Sequence, residues 1–315
     1  MVGSAHPAAS SGAILAPMGT RSRRASFAIV GAAYVVAIVV FLLTATAFGR
    51  ESSWWSMAAG FLASTAVLYV LSQIMGNGST FDPWWSVMPP VAAIWLMVGN
   101  DDVDVTRRWL VVACVVLWGA RLTYNWAASW PGLQHEDWRY IELYGTGRMP
   151  RWLVSLLGVH LVPTIIVALA CLPLVAALTS ASRPFGPLDV VATVVTLSAI
   201  ALEFVADNQL RRFNRTKEPG AVLDTGLWSR SRHPNYLGEI GFWWGLWLFA
   251  LTGGIDAAWT IIGPIEITVM FVAVSIPLSE RRSAARRLDW FEYVERTPTL
   301  LLSLSSPPVG DRRRR

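Results

Sequence analysis

Four polar clusters stand out in an otherwise apolar chain, and each carries groups able to do chemistry. The first is Gln73, Asn77, Ser79 and Asp82 in SQIMGNGSTFDPWW. The second is Arg121, Tyr124 and Asn125 in WGARLTYNWAASWPGLQHEDWRYIELYG. The third is Glu203, Asp207 and Arg211 in ALEFVADNQLRRFNRTKEPG. These three are four apart in turn, so on a helix they share one face. The fourth is TGLWSRSRHPNYLGEIGFWWG. In it Arg230, Arg232 and His233 offer hydrogen bonds to phosphate oxygens. Asn235, Tyr236 and Glu239 add planar and aromatic polar contacts, and Pro234 is suited to open a helix.

Each cluster has a plainer structural explanation. Arg121 can snorkel to an interface, Glu203 and Asp207 can form structural ion pairs, and Asp82 before Pro83 can be a turn residue. The tryptophans around the second cluster, Trp126, Trp130 and Trp138, can be interface anchors. The fourth cluster is the strongest functional candidate, because its whole run of polar types lies beside an apolar span.

The elements that position these residues follow from composition. Of 315 residues, 54% are hydrophobic and 15% charged. A soluble domain carries about 25% charged residues, so the chain reads as a membrane protein. Disorder, a disulfide scaffold and nucleic-acid binding are all disfavoured. The two cysteines, Cys114 and Cys171, lie inside apolar runs, where small buried side chains belong.

Apolar segments predict an all-α, multi-pass integral membrane bundle. They run over 27–48, 54–75, 109–128, 152–178, 188–206, 237–251 and 258–278, with a shorter run at 87–98. Counting the short run gives eight transmembrane helices, and omitting it gives seven. Charge favours eight. With both termini on one side, twenty-one Lys and Arg fall on that side, four on the other, and Arg121 within a span. By the positive-inside rule the rich side is cytoplasmic, in what is expected to be the cell inner membrane.

Residues 1–25 read as a disordered tail and 26–300 as one membrane domain, with the main cofactor-binding half at 188–300. A basic tail follows at 305–315, suited to anionic lipid. The apolar run after Arg21–Arg24 is long for a signal peptide and reads as a first span. There is no HExxH, no clustered Cys/His site and no clear triad, so no metal is expected.

At ADNQLRRF, TGLWSRSRHPNYLGE and WWG the chain resembles the carboxy-terminal domain of steroid 5-alpha-reductases. More closely, it resembles the bacterial domain-of-unknown-function 1295 branch of that superfamily. RLTYNWAASWPGLQHEDWRY and MGNGSTFDPWWSV are similar to the same branch, so the resemblance covers roughly residues 55–300. It implies helices around a cavity open to the cytoplasm, NADPH as cofactor, and reduction of a carbon–carbon double bond in a steroid or other lipid.

Carried over by position, the resemblance implies cofactor contacts at Asp207 and Arg211. It implies them also at Arg230, Arg232, His233, Asn235, Tyr236 and Glu239, and at Arg282 and Arg287 in the basic element before WFEYVERTP. The vertebrate reductases place a glutamate and a tyrosine near the substrate carbonyl. This chain has Gln73 at the nearest position, with Tyr124 the first choice as proton donor and Asp82 an assistant. NADPH would reduce an enone while such a donor stabilises charge on the carbonyl oxygen. Related methyltransferases use a similar half for S-adenosylmethionine, which is the main alternative. A non-enzymatic lipid-binding protein is the second.

Overall fold

The structure is a computed structural model that describes residues 22–49, 53–145, 147, 149–180 and 183–303. The tail expected at 305–315 lies outside the described residues. So does the expected N-terminal tail, apart from its last residues, where the first helix already begins at Arg23.

Ten helices follow one another among the described residues, and none of these residues is in a strand. They are α1 (Arg23–Ala47), α2 (Ser53–Met75), α3 (Trp84–Met97), α4 (Val105–Ser129) and α5 (Trp138–Tyr144). After them come α6 (Arg151–Thr179), α7 (Pro187–Thr216), α8 (Pro234–Leu251), α9 (Ile255–Ala284) and α10 (Trp290–Arg296). In hydrocarbon, backbone polar groups have no water to bond, which is why apolar runs become helices here. Their starts carry ordinary signals. Asp104 accepts from the backbone N–H of Thr106 and Arg107 at the start of α4, and Asp137 accepts from that of Arg139 at the start of α5. Pro187 and Pro234 each take the first helical position, where a missing N–H costs nothing.

The protein is therefore an all-α, multi-pass membrane helical protein. Six helices, α1, α2, α4, α6, α7 and α9, are long and apolar enough to cross a bilayer. The expected count of eight is not reached on that measure, for two different reasons. Helix α3 has 14 residues, about 21 Å of rise against a hydrocarbon core of about 30 Å. Helix α8 has 18 residues, but Asn235 and Glu239 fall in its first two turns.

Hydrogen bonds sort the helix ends into two groups. At one end, Arg23 donates to the carbonyls of Ala127 and Trp130, and Asn77 donates to those of Leu133 and His135. At the other end, Arg107 forms a bidentate pair with Asp189 and also reaches the carbonyls of Arg183 and Pro184. Helix α6 lies at the centre, with 61% of its apolar window buried, whereas α9 is the least covered span at 22%.

Helices α7 and α8 pack the most intimately. Gly238 and Gly245 on α8 face Glu203, Ala199 and Thr196 on α7, and a methyl group at either glycine would run into that helix. Small residues allow such close approach in membranes. They bring Glu239 on α8 beside Glu203 on α7.

Candidate functional site

The centre of the site is a joint between α4 and α7. Arg121 and Asn125 are one turn apart on α4, and Asp207 and Arg211 are one turn apart on α7. Arg121 Nη1 donates to Asp207 Oδ2 at 2.7 Å, and Asn125 Nδ2 donates to the same oxygen at 2.6 Å. Arg211 Nη2 donates to Asn125 Oδ1 at 2.5 Å. One turn deeper, Arg121 Nη2 lies 2.5 Å from Glu203 Oε1 and 3.8 Å from Glu239 Oε2. Arg121 is buried, so it does not snorkel to the interface.

Helix α8 closes the same site. Asn235 bonds Asp207 through its side chain. Glu239 accepts from the indole N–H of Trp118 and of Trp243, each at 2.9 Å. Three carboxyl groups thus surround one guanidinium. Some bonding capacity remains open, since Asn235 Oδ1, Glu203 Oε2 and Arg121 Nε are buried without a hydrogen-bond partner among the described residues. Among those residues no group of three or more His, Cys, Asp or Glu side chains is placed to hold a metal ion.

One aromatic–basic pair lies beside this centre, and further arginines stack on other rings. The Arg211 guanidinium lies 4.9 Å from the Tyr124 ring centre, and Tyr124 is 58% exposed. Arg282 stacks on Trp138 at 3.7 Å, and Arg287 lies over Trp290. Arg230 is exposed and its side chain has no partner among the described residues.

Arg232 occupies a different place from its neighbours. Its guanidinium bonds Glu280, the carbonyls of Val294 and Thr297, and the Thr299 hydroxyl, while its backbone N–H reaches Pro298. His233 also meets Glu280, at 3.2 Å, and stacks on Tyr236. Burial pulls the His233 imidazole below its ordinary range despite Glu280. Arg232 therefore fastens the segment after α9 to the loop before α8, and both residues tie that loop to Glu280 within α9. Tyr293 strengthens the latch by donating to Trp228 O at 2.6 Å.

The three residues expected near the substrate lie apart in their bonding. Tyr124 meets Arg211, while Gln73 donates to Ser155 Oγ at 3.0 Å, on a π-helical turn of α6. Asp82 accepts from the Tyr140 hydroxyl at 2.5 Å. Burial pushes the Asp82 carboxyl up to about 6, against the lowering effects of Arg139 and of the Tyr140 hydrogen bond. Arg139 acts electrostatically on Tyr236 as well as on Asp82, which ties this corner to the start of α8.

Much of the MGNGSTFD segment braces the loop before α5. Gly78 N–H donates to Glu136, and Asp137 N–H donates to Ser79 Oγ. Sequence reasoning missed Asn125 as the bridging residue, Trp118 and Trp243 as donors to Glu239, and Glu280 as the anchor of Arg232. Asn125 alone carried a signal, by its four-residue spacing from Arg121.

A family model described as "Protein of unknown function (DUF1295)" matches residues 68–297, well over half of the chain. The chain is also similar to an uncharacterized protein of Schizosaccharomyces pombe, at 28% identity over 248 residues, covering 70% of this chain and 71% of the relative. No solved structure matches.

Proposed function

The chain belongs to the DUF1295 family, and from that premise we propose that it is a membrane reductase. It would use NADPH to saturate an activated carbon–carbon double bond in a steroid or other lipid, such as a 3-oxo-steroid enone. The observation that carries this reading is the joint of Arg121 and Asn125 with Asp207, Arg211 and Asn235. The resemblance to the steroid 5-alpha-reductase superfamily supplies the reaction class.

The residues suit a phosphorylated, hydroxyl-rich cofactor. Asn235 Oδ1 is a buried acceptor with no partner among the described residues. Asp207 is held rigidly by three donors, Arg121, Asn125 and Asn235, and offers a fixed acceptor to a ribose-type hydroxyl. Arg211, Arg230, Arg282 and Arg287 supply cationic donors for phosphates. Bound NADPH supplies the reducing equivalent, so the protein needs no redox group of its own. The task left to the protein is to donate a hydrogen bond where charge grows on the substrate oxygen. Tyr124 is the first candidate, exposed at the rim, with Gln73 and Asp82 the others.

The eight-crossing topology belongs to this reading, with α3 and α8 as the two less apolar crossings. The twenty-one to four charge bias supports this reading, in which the site would open at the cytoplasmic face of the inner membrane. Nicotinamide cofactors are available there.

One observation favours a second reading. Three carboxyl groups around a single guanidinium suit a cationic ligand, and S-adenosylmethionine carries a sulfonium. A membrane methyltransferase is therefore the alternative. Calorimetry on the detergent-solubilised protein, titrated in turn with NADPH, NADH and S-adenosylmethionine, separates the two. Saturable binding of NADPH alone supports the reductase. Tight binding of S-adenosylmethionine with none of NADPH sinks it.

A further inference from the structure

Arg121 and Glu203 form an ion pair, 2.5 Å from Nη2 to Oε1, while Arg121 Nη1 is taken by Asp207. Neither Arg121 nor Glu203 is among the residues expected to touch a cofactor. Each keeps an atom outside these bonds. Arg121 Nε is a buried donor and Glu203 Oε2 a buried acceptor, both without a hydrogen-bond partner among the described residues. The residues are 7% and 4% exposed. Glu239 does not fill the gap, because a carboxylate only accepts and its two oxygens already take the indoles of Trp118 and Trp243. The ion pair itself holds the free donor close to the free acceptor.

Buried polar groups are costly to leave unpaired, and these two define what would complete them. The missing group accepts from an N–H and donates to a carboxylate oxygen. It is neutral, since the ion pair is already balanced. A primary carboxamide does both, its C=O accepting and its NH2 donating. A carboxylate would face Glu203 with like charge, and a ketone would leave Glu203 Oε2 unbonded. Position gives a second argument. Glu203, Asp207 and Arg211 follow one face of α7 in four-residue steps, about 6 Å each. Arg211 suits a phosphate and Asp207 a ribose hydroxyl. One step further in is where the base of a nucleotide follows its sugar.

We propose that Arg121 and Glu203 bind the carboxamide of a nicotinamide ring, Arg121 Nε donating to its C=O and Glu203 Oε2 accepting from its NH2. This rests on the reductase reading and adds two residues to its site. Glu203 is the seventeenth of the 30 residues in α7, so the ring would lie midway along the span, at the depth of a lipid substrate.

The test is calorimetry on the full detergent-solubilised chain. It compares NADP+ with its acetylpyridine and nicotinic acid analogues, and with phosphorylated ADP-ribose, which lacks the ring. The acetyl analogue should bind about tenfold more weakly than NADP+, and the acid about a hundredfold. Glu203→Gln, of similar shape but uncharged, should recover most of the affinity for the acid and leave that for phosphorylated ADP-ribose unchanged. Equal binding of the three dinucleotides by the unaltered chain would overturn the proposal and leave the reductase reading standing, with water alone filling the gap. So would a Gln variant that keeps the full preference against the acid. Tight binding of S-adenosylmethionine with none of NADPH would remove the reductase reading and this proposal together.

Discussion

Arg121 and Asp207 lie 86 residues apart in sequence and 2.7 Å apart in space. Their contact ties the two halves of the polar site together. Because Glu203 and Glu239 converge on the same guanidinium, Arg121→Ala leaves two buried carboxyl groups and the half-buried Asp207 carboxyl without their shared cation. Breaking a buried pair from one side costs about 3–5 kcal/mol. Arg121→Ala should therefore lower the melting temperature of the solubilised protein sharply. Asp207→Asn should cost far less, since the amide oxygen still accepts from Arg121.

Asn125 and Asn235 bond Asp207 from opposite helices. Asn235→Ala should weaken NADPH binding by about tenfold, the loss expected of one hydrogen bond to a polar ligand, with little change in melting temperature. Calorimetry reads the binding. An unchanged dissociation constant removes Asn235 from the site.

Arg232→Ala should loosen the segment after α9 before it affects any ligand. The guanidinium bonds Glu280, Val294, Thr297 and Thr299, so its loss leaves two buried carbonyls without a donor. Limited proteolysis should show faster cleavage within 288–303. If cleavage is unchanged while NADPH binding falls, Arg232 serves the cofactor and not the latch.

Asp82 makes a pH prediction. Its folded pKa of about 6 lies above the unfolded value near 3.9, so the folded state holds the proton more tightly. The associated stability is fully present below about pH 4 and is lost as pH rises through 6. Relative to Asp82→Asn, the parent should lose melting temperature between pH 4 and pH 7. A constant difference across that range would mean that Asp82 does not titrate there.

Gly245→Ala places a methyl group against Thr196 of α7. Overpacking of this kind costs about 1–3 kcal/mol. The substitution should lower thermal stability although alanine is the better helix former, and Gly31→Ala, which meets open space, should not.

Much of this architecture was legible from hydrophobicity alone. The run expected at 54–75 became Ser53–Met75, and the run at 152–178 became Arg151–Thr179. The run at 188–206 grew into Pro187–Thr216, because an amphipathic basic stretch extends a helix beyond its apolar part. The Glu203–Asp207–Arg211 face was legible for the same reason, since helical periodicity is local. Pairings across the bundle were not. Nothing within the run around Arg232 indicates that its partners are Glu280 and Thr299, nor does the run around Gln73 point to Ser155. Such contacts depend on how helices dock, and a single sequence carries no record of that.

The latch between Arg232 and the segment ending at Thr299 has a consequence for synthesis. Helices α1 to α8 are complete once Leu251 has been made, yet the loop leading into α8 stays unfastened for about fifty residues more. The rim of the site is therefore among the last parts to assemble. A chain cut short before Thr297 would insert its helices and still hold that loop open, a membrane protein present in full outline but with its mouth unformed.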